Sequence, residues 1–178
     1  MTVRNRQSPV LIDIIRKHQC KKIAEIGVWK GHTERNILRA CGNDIDEYWA
    51  IDQWAIMEAR HGRMSRLSLD DWDSMYKRVC LDMTFFPCLK VARMLSEAAA
   101  SIIPNGYLDM VFIDASHYYE DVLNDIKLWL PKIKTGGFIT GHDYISRRHG
   151  DVTRAVDEVF DDVGYDSHSM VWWADVKS

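Results

Sequence analysis

Residues 22–31, Lys-Ile-Ala-Glu-Ile-Gly-Val-Trp-Lys-Gly, decide the fold of this chain. Residues 23–28 form a short apolar run that Glu25 interrupts and Gly27 closes, and helix-compatible sequence resumes soon afterwards. The pattern predicts a strand, a tight turn and the start of a helix. Because glycine lacks a Cβ, we expect a ligand to approach the backbone at Gly27 and Gly31, where the helix N-terminus offers unpaired N–H groups.

A second apolar run, residues 48–51, ends at Asp52. In a dinucleotide fingerprint the glycines read G-x-G-x-x-G, but here Trp29 takes the middle position and Glu25 stands two residues before the first glycine. A carboxylate there disfavours a pyrophosphate and suits an ammonium group, while Asp52 suits the two hydroxyls of an unphosphorylated ribose. S-adenosylmethionine carries both groups. The alternative is a purely structural loop with Glu25 as a solvated turn acid.

Length and charge narrow the classes of protein to consider. The 178 residues fit a single domain spanning 1–178, and the net charge of −3 spreads 23 basic residues among 26 acidic ones. We therefore expect no nucleic-acid partner. The four cysteines form no C-x-x-C pair, and the longest uncharged run, residues 98–108, is too short to span a bilayer. The expected protein is cytoplasmic, with reduced thiols and no membrane partner.

Apolar runs alternate with helical patterns along the chain, which is typical of an α/β domain with a doubly wound, mostly parallel sheet. An N-terminal helix is predicted over residues 8–18. Residues 54–88 form an insert between the second and third strands, in which a long loop at 54–69 is a candidate lid and residues 70–83 are helical. The apolar stripe of that helix comprises Trp72, Met75, Tyr76, Val79 and Met83.

Acid and histidine side chains follow two later strands. Residues 109–114 read as a buried strand that ends at Asp114, with His117 close behind. A Gly-Gly turn at 136–137 is expected to end the preceding helix, and the strand after it leads to His142 and Asp143. Because ligands bind beyond the carboxyl ends of parallel strands, these side chains should meet in one crevice.

This combination of residues has two chemical uses. Asp114 and Asp143 could hold a hard divalent cation such as Mg²⁺, to which a substrate hydroxyl would bind and lose its proton more easily. Alternatively, His117 or His142 could remove that proton as a general base. A structural alternative for Ser116 and His117 is capping of the helix that follows.

These motifs resemble the class I S-adenosylmethionine-dependent methyltransferases. They are closest to a small family that reads I-D-x-x-H-x-Y-E after the fourth strand and G-G-x-x-x-x-H-D-Y at the fifth, as residues 113–120 and 136–144 do here. Residues 152–160 resemble the helix that follows in the family, and the resemblance covers about 22–177. It implies a seven-stranded sheet with an antiparallel last strand near residues 170–174.

The resemblance also implies roles for individual residues. Glu25, Gly27 and Gly31 would contact the amino acid part of the cofactor, and Asp52 its ribose. Ser96 or Glu97 would lie in the neighbourhood of its adenine, and Asp114 would form the floor of the site. The implied cofactor-binding set is Glu25, Gly27, Gly31, Asp52, Gln53, Ser96, Glu97 and Asp114.

Metal ligands are implied by analogy with relatives that methylate catechol-type or sugar hydroxyls, whose metal-binding carboxylates correspond to Asp114 and Asp143. This chain departs from the catechol pattern, because Tyr144 stands in the place of an asparagine and His117 lies near the place of a lysine.

The function predicted from the sequence is methyl transfer from S-adenosylmethionine to a small-molecule acceptor, at a hydroxyl oxygen. Its catalytic group comprises Asp114, His117, His142 and Asp143. A homodimer is a candidate assembly, since a partner subunit could close the pocket. A nicotinamide-dependent oxidoreductase is one alternative, although the chain lacks a full glycine fingerprint. A non-catalytic cofactor-binding module is another.

Overall fold

The computed structural model describes residues 5–56, 64–146, 148 and 150–177. The helices in this part of the chain are α1 Gln7–His18, α2 His32–Cys41, α3 Leu69–Asp82, α4 Ser96–Ile102, α5 Tyr119–Trp129 and α6 Gly150–Val159. The strands are β1 Lys22–Ile26, β2 Glu47–Asp52, β3 Leu89–Arg93, β4 Leu108–Ile113, β5 Ile133–Gly141, β6 Gly164–Asp166 and β7 Val171–Asp175. None of the described helices combines the length and the apolar character needed to cross a membrane.

The strands form one seven-stranded sheet in the order β3-β2-β1-β4-β5-β7-β6. The first five strands are parallel, whereas β7 runs antiparallel to both β5 and β6. This confirms the mostly parallel sheet and the antiparallel last strand that the resemblance implied. The strand order reverses between β1 and β4, the place where open α/β sheets bind their ligands.

Helices cover both faces of the sheet, so the described residues form one three-layer α/β domain. Apolar side chains of α1, α2 and α3 pack on one face and those of α4, α5 and α6 on the other. Alternation along β1 supplies both cores, because Ala24 and Ile26 point to the second group of helices while Ile23 points to the first. The doubly wound architecture predicted from the sequence is confirmed.

The helix of the 54–88 insert is well explained by its sequence. Ser68 caps α3 in a reciprocal capping box with Asp71, and Trp72 and Val79 are fully buried on its inner face. Met83, predicted on the same stripe, is 44% exposed because α3 ends at Asp82.

The candidate lid, residues 54–69, is only partly described, because its positions 57–63 lie outside the described residues. Its first residue, Trp54, is fully buried, and its indole N–H donates to the carbonyl of Trp29 over 2.8 Å. Trp54 is therefore a core residue and not the edge of a lid.

The expectation that the Gly-Gly pair ends a helix is wrong. α5 ends at Trp129, a 3-10 turn containing Pro131 follows, and β5 has already begun at Ile133. Gly136 and Gly137 lie inside β5, where the pairing with β4 shifts register. A Cβ at Gly137 would lie 2.6 Å from the carbonyl oxygen of Asp109, so the close approach of two strands requires glycine there. The three-residue β6 was not predicted because it contains no apolar run.

Candidate active site

The four residues of the predicted catalytic group meet at one edge of the sheet. Ile113 of β4 and Gly141 of β5 are direct neighbours in the parallel register, so the residues that follow them leave the sheet at the same level. His117 Nε2 lies 2.8 Å from Asp143 Oδ2, and His142 Nδ1 lies 3.2 Å from the same oxygen. His142 Nδ1 is also 3.6 Å from Asp114 Oδ1. We call these four residues the catalytic group.

The partners within this group set its charges. Burial alone would raise the pKa of Asp143, but hydrogen bonds from His117 and His142 outweigh burial and hold the pKa well below its usual range. Burial likewise opposes the charged form of His142, yet the bond to Asp143 and the charge of Asp114 raise the pKa of His142 to about 9. For Asp114 burial dominates and raises the pKa to about 6. Asp143 is thus the firmly ionised carboxylate of the site.

Backbone conformation presents these side chains to the crevice. Asp143 has φ +61° and Ile145 has φ +56°, and a β-branched residue is rare in the left-handed region. The Ile145 N–H donates to the hydroxyl of Thr153 over 2.9 Å, which anchors the strained turn to α6. Such strain is stored where surrounding contacts hold it, commonly at functional sites.

Three members of the catalytic group could serve as metal ligands. One ligand atom from each of Asp114, His117 and Asp143 lies within 4.8 Å of the others. A cavity of about 10 Å³ is lined by Asp114, His117 and His142, among others, and it has room for roughly one water-sized occupant. The donor set of two carboxylates and one imidazole is one that divalent cations accept.

The glycines of residues 27–31, the glycine loop, have a packing role that the sequence did not predict. Gly27 has φ +93°, and a Cβ there would overlap the carbonyl oxygen of Asp114 and lie 2.6 Å from the Cα of Ala115. A Cβ at Gly31 would lie 2.6 Å from a carboxyl oxygen of Glu34. A side chain at either position would therefore collide with the protein itself, and the approach of a ligand to the backbone at Gly27 and Gly31 stays a prediction.

Glu25 is also more enclosed than its sequence position suggests. Its side chain is 1% exposed and accepts a 2.6 Å hydrogen bond from the hydroxyl of Tyr48. Burial raises the pKa of Glu25 well above its ordinary value. The alternative of a solvated turn acid is therefore wrong, whereas the role of Glu25 toward an ammonium group stays a prediction.

Asp52 organises the loops at the ends of β1 and β2. Its two carboxylate oxygens accept the backbone N–H of Trp29 and of Trp54, each over 2.8 Å. Burial raises the pKa of Asp52 even though these N–H groups favour its charged form. A carboxylate has about four acceptor sites, so ribose hydroxyls could still bind it. Gln53, the next residue, is half-buried.

The residues expected near the adenine behave differently from each other. The hydroxyl of Ser96 donates to Asp125 over 2.5 Å and accepts the indole N–H of Trp129 over 2.8 Å, so it belongs to a buried network. Glu97 is exposed and accepts a 3.4 Å hydrogen bond from Asn124. Their roles toward a cofactor remain predictions.

Sequence reasoning missed Gln7, at the start of α1. Its amide donates to Asp114 over 3.0 Å and to the hydroxyl of Thr33 over 3.1 Å. Asn5 donates to the same hydroxyl over 2.9 Å. No sequence pattern could identify this contact, because Gln7 precedes Asp114 by 107 residues and only the packing of α1 brings them together.

The edge thus combines an acid after β2, an acid after β4 and an acid-histidine pair after β5 around the glycine loop. A family model described as a methyltransferase domain matches residues 24–144 of the chain. The chain belongs to this methyltransferase family. The chain carries the fold that the resemblance to class I S-adenosylmethionine-dependent methyltransferases implied, and its family membership speaks against the nicotinamide-dependent alternative.

One curated protein resembles about half of this chain. The chain is 33% identical over 88 residues to an uncharacterized protein of Acanthamoeba polyphaga mimivirus; the alignment covers 49% of this chain and 34% of that protein. The chain therefore spans about a third of the length of this curated relative.

Two solved structures show the fold over the whole chain. One, a candidate caffeoyl-CoA O-methyltransferase from Staphylococcus aureus, has 14% identity and a TM-score of 0.70, with 100% of this chain and 86% of that chain covered. The other is the O-methyltransferase TomG from Streptomyces achromogenes in complex with S-adenosylmethionine, at 14% identity and a TM-score of 0.66. There the comparison covers 100% of this chain and 82% of TomG.

Proposed function

We propose that this methyltransferase transfers the methyl group of S-adenosylmethionine to a hydroxyl oxygen of a small-molecule acceptor. The observation that carries the proposal is the convergence of the catalytic group at the end of β4 and β5, beside the glycine loop. The O-methyltransferases among the structural neighbours support the choice of oxygen, although at 14% identity they share the fold alone.

The chemical work of the protein would be alignment and the handling of one proton. The sulfonium methyl is already electrophilic, so holding the hydroxyl in line with it supplies most of the rate. The carbon–sulfur bond breaks as the carbon–oxygen bond forms, and the hydroxyl proton must leave. His117 is 36% exposed, so an acceptor can reach it, and Asp143 orients its ring through Nε2. With Nε2 protonated, Nδ1 is the basic nitrogen.

A divalent cation is the second part of the proposal. Asp114, His117 and Asp143 would hold it, and when bound it would lower the pKa of an acceptor hydroxyl. Mg²⁺ prefers oxygen ligands alone, so the imidazole favours an ion such as Mn²⁺ or Zn²⁺. The same nitrogen of His117 cannot both bind a cation and act as a base. Turnover measured with a metal ion and with a chelator distinguishes these two roles.

We further propose a cytoplasmic location, because all four cysteines are free thiols, as is usual in a reducing compartment. A small-molecule acceptor and a second copy of the chain are the proposed partners. Light scattering of the purified protein would determine its oligomeric state.

The deciding experiment pairs binding with turnover. Calorimetric titration with S-adenosylhomocysteine, repeated with Asp52→Ala, tests the cofactor site. Transfer of labelled methyl from S-adenosylmethionine to a panel of catechol and sugar hydroxyls is then measured with Mn²⁺, with Mg²⁺ and with a chelator. Turnover that His117→Ala abolishes supports the proposal. The non-catalytic module would be favoured if the protein bound S-adenosylhomocysteine, with an affinity that His117→Ala does not change, but methylated no acceptor of the panel.

A further inference from the structure

A second cavity, of about 300 Å³, lies between the beginning of α2 and the outer face of α3. Its lining is Lys30, His32, Arg35, Ser74, Met75 and Arg78. None of these residues belongs to the catalytic group. We propose that this cavity binds a phosphate-bearing small molecule, such as a phosphate monoester or a diphosphate.

The cations of this cavity are held in place and outnumber the nearby acid. Arg35 contacts Asp82 Oδ2 through Nε at 2.9 Å and Nη2 at 2.6 Å, while Arg78 Nη1 lies 3.1 Å from Asp82 Oδ1. Asp82 itself is buried, with 3% exposure. One carboxylate thus orients two guanidinium groups, each of which has five N–H donors, and some of these stay available to a ligand. Lys30 adds a third permanent cation, seated over the ring of Trp29.

The other acids close to the cavity do little to cancel this positive charge. Burial raises the pKa of Glu34, one turn along from Lys30, to about 8, so it is mostly neutral at pH 7. Asp73 is paired with Arg93 over 2.6 Å, and Asp71 is engaged in the capping box of α3. The pKa of His32 is lowered, first by burial and then by the charges of Arg35 and Lys30, as expected beside these cations.

The hydrogen-bond donors of this cavity suit a phosphate group better than a single carboxylate. Arginine forks and a lysine ammonium donate charge-assisted hydrogen bonds to phosphate oxygens, and the hydroxyl of Ser74 adds a neutral donor. Two arginines that share the carboxylate of Asp82, together with Lys30, leave an excess of two positive charges. This excess suits a dianion, whereas a single carboxylate ligand would leave it undercompensated. The volume also far exceeds the ~10–15 Å³ that one water needs, so the cavity accommodates an ester or a diphosphate.

Calorimetric titration of the full chain with inorganic phosphate and with pyrophosphate, at constant ionic strength, tests the site. We expect saturable binding, tighter for pyrophosphate, that weakens about tenfold in Arg78→Gln. Lys77→Gln is the matched control, because Lys77 is exposed on the same helix but does not line the cavity. Absence of binding to the unmodified protein, or equal weakening in both variants, would overturn the proposal.

Two further arms keep the test specific. Lys30→Gln removes a cation that lies over Trp29 and not against Asp82, so it should weaken pyrophosphate binding while leaving the ion pairs of Arg35 and Arg78 with Asp82 intact. Saturation with S-adenosylhomocysteine should leave pyrophosphate affinity unchanged. Displacement of pyrophosphate by that ligand would assign these cations to the cofactor site and refute a separate site, whatever the outcome of the methyl-transfer assays.

Discussion

Glu25 in β1 and Asp143 after β5 are both buried carboxyl groups at the same edge of the sheet, yet their surroundings shift their pKa values in opposite directions. Glu25 has a neutral hydroxyl from Tyr48 as its hydrogen-bonding partner, and burial raises its pKa well above the ordinary value. Asp143 lies between His117 and His142, whose hydrogen bonds lower its pKa despite burial. The partner, and not burial alone, therefore decides which acid is ionised.

The same contrast holds for the two halves of the site. In the half around the glycine loop, buried acids and glycines shape the backbone, as the packing of Gly27 on Asp114 and the N–H bonds to Asp52 show. In the half formed by the catalytic group, acids face histidines and hold charge. Substitutions in the first half should chiefly change stability and cofactor affinity, and those in the second should chiefly change turnover.

The largest effect is expected from Asp143→Asn. The amide cannot hold the negative charge between two imidazoles, so we expect turnover to fall by about 10²–10³-fold. The affinity for S-adenosylhomocysteine should change less than about threefold. Steady-state kinetics and calorimetry on the same preparations measure both quantities. Asp175→Asn, an exposed acid at the end of β7, is the control; a similar loss of turnover there would remove the distinction between the halves.

A second substitution, Gly27→Ala, tests the glycine loop. The methyl group would overlap the backbone of Asp114 at a positive φ, so we expect a loss of about 3 kcal/mol in the free energy of unfolding. Gly106→Ala is a matched control, because Gly106 also has a positive φ, +64°, but nothing within 4 Å of the added Cβ. There the loss should be only about 1 kcal/mol. Denaturant unfolding compares the two, and equal losses would contradict the packing role.

Glu34→Gln is expected to alter the pH dependence of stability. The pKa of Glu34 is raised to about 8 in the folded protein, so the fold favours the neutral acid. This preference contributes fully to the free energy of unfolding only below the pKa of Glu34 in the unfolded chain, which is about 4. That contribution is lost as pH rises toward 8, by on the order of 3 kcal/mol. The variant lacks this loss, so its free energy of unfolding should fall less between pH 5 and pH 8. Glu120→Gln is the control, because Glu120 is exposed and its replacement should leave the pH dependence of the free energy of unfolding unchanged. The same unchanged pH dependence in Glu34→Gln would contradict the burial of Glu34.

The smallest effect is expected from Gln7→Ala, which removes hydrogen bonds to Asp114 and Thr33. We expect a loss of about 1 kcal/mol in stability and a change of severalfold in affinity for S-adenosylhomocysteine. Lys17→Ala, exposed on the same helix, should change neither quantity. An unchanged Gln7→Ala would show that the N-terminal contact does not support the site.

Much of the fold could be predicted because its signals are local. The alternation of apolar runs and helical patterns indicated the doubly wound sheet, and the strand ends marked by Asp52, Asp114 and Asp143 placed the acids at one edge. β6 was not predicted, since three residues carry too little pattern, and the Gly-Gly pair was misassigned because a bulge and a turn use the same residue.

The sequence by itself determined which side chains reach the edge of the sheet, because parallel strands deliver whatever follows them to the same side. Only the tertiary structure decided the pKa values and the surroundings of those side chains. The raised pKa of Glu25, the lowered pKa of Asp143 and the filling of the space beside Gly27 all depend on groups distant in the chain. Burial and hydrogen bonding are properties of that environment, and a local sequence pattern does not contain them.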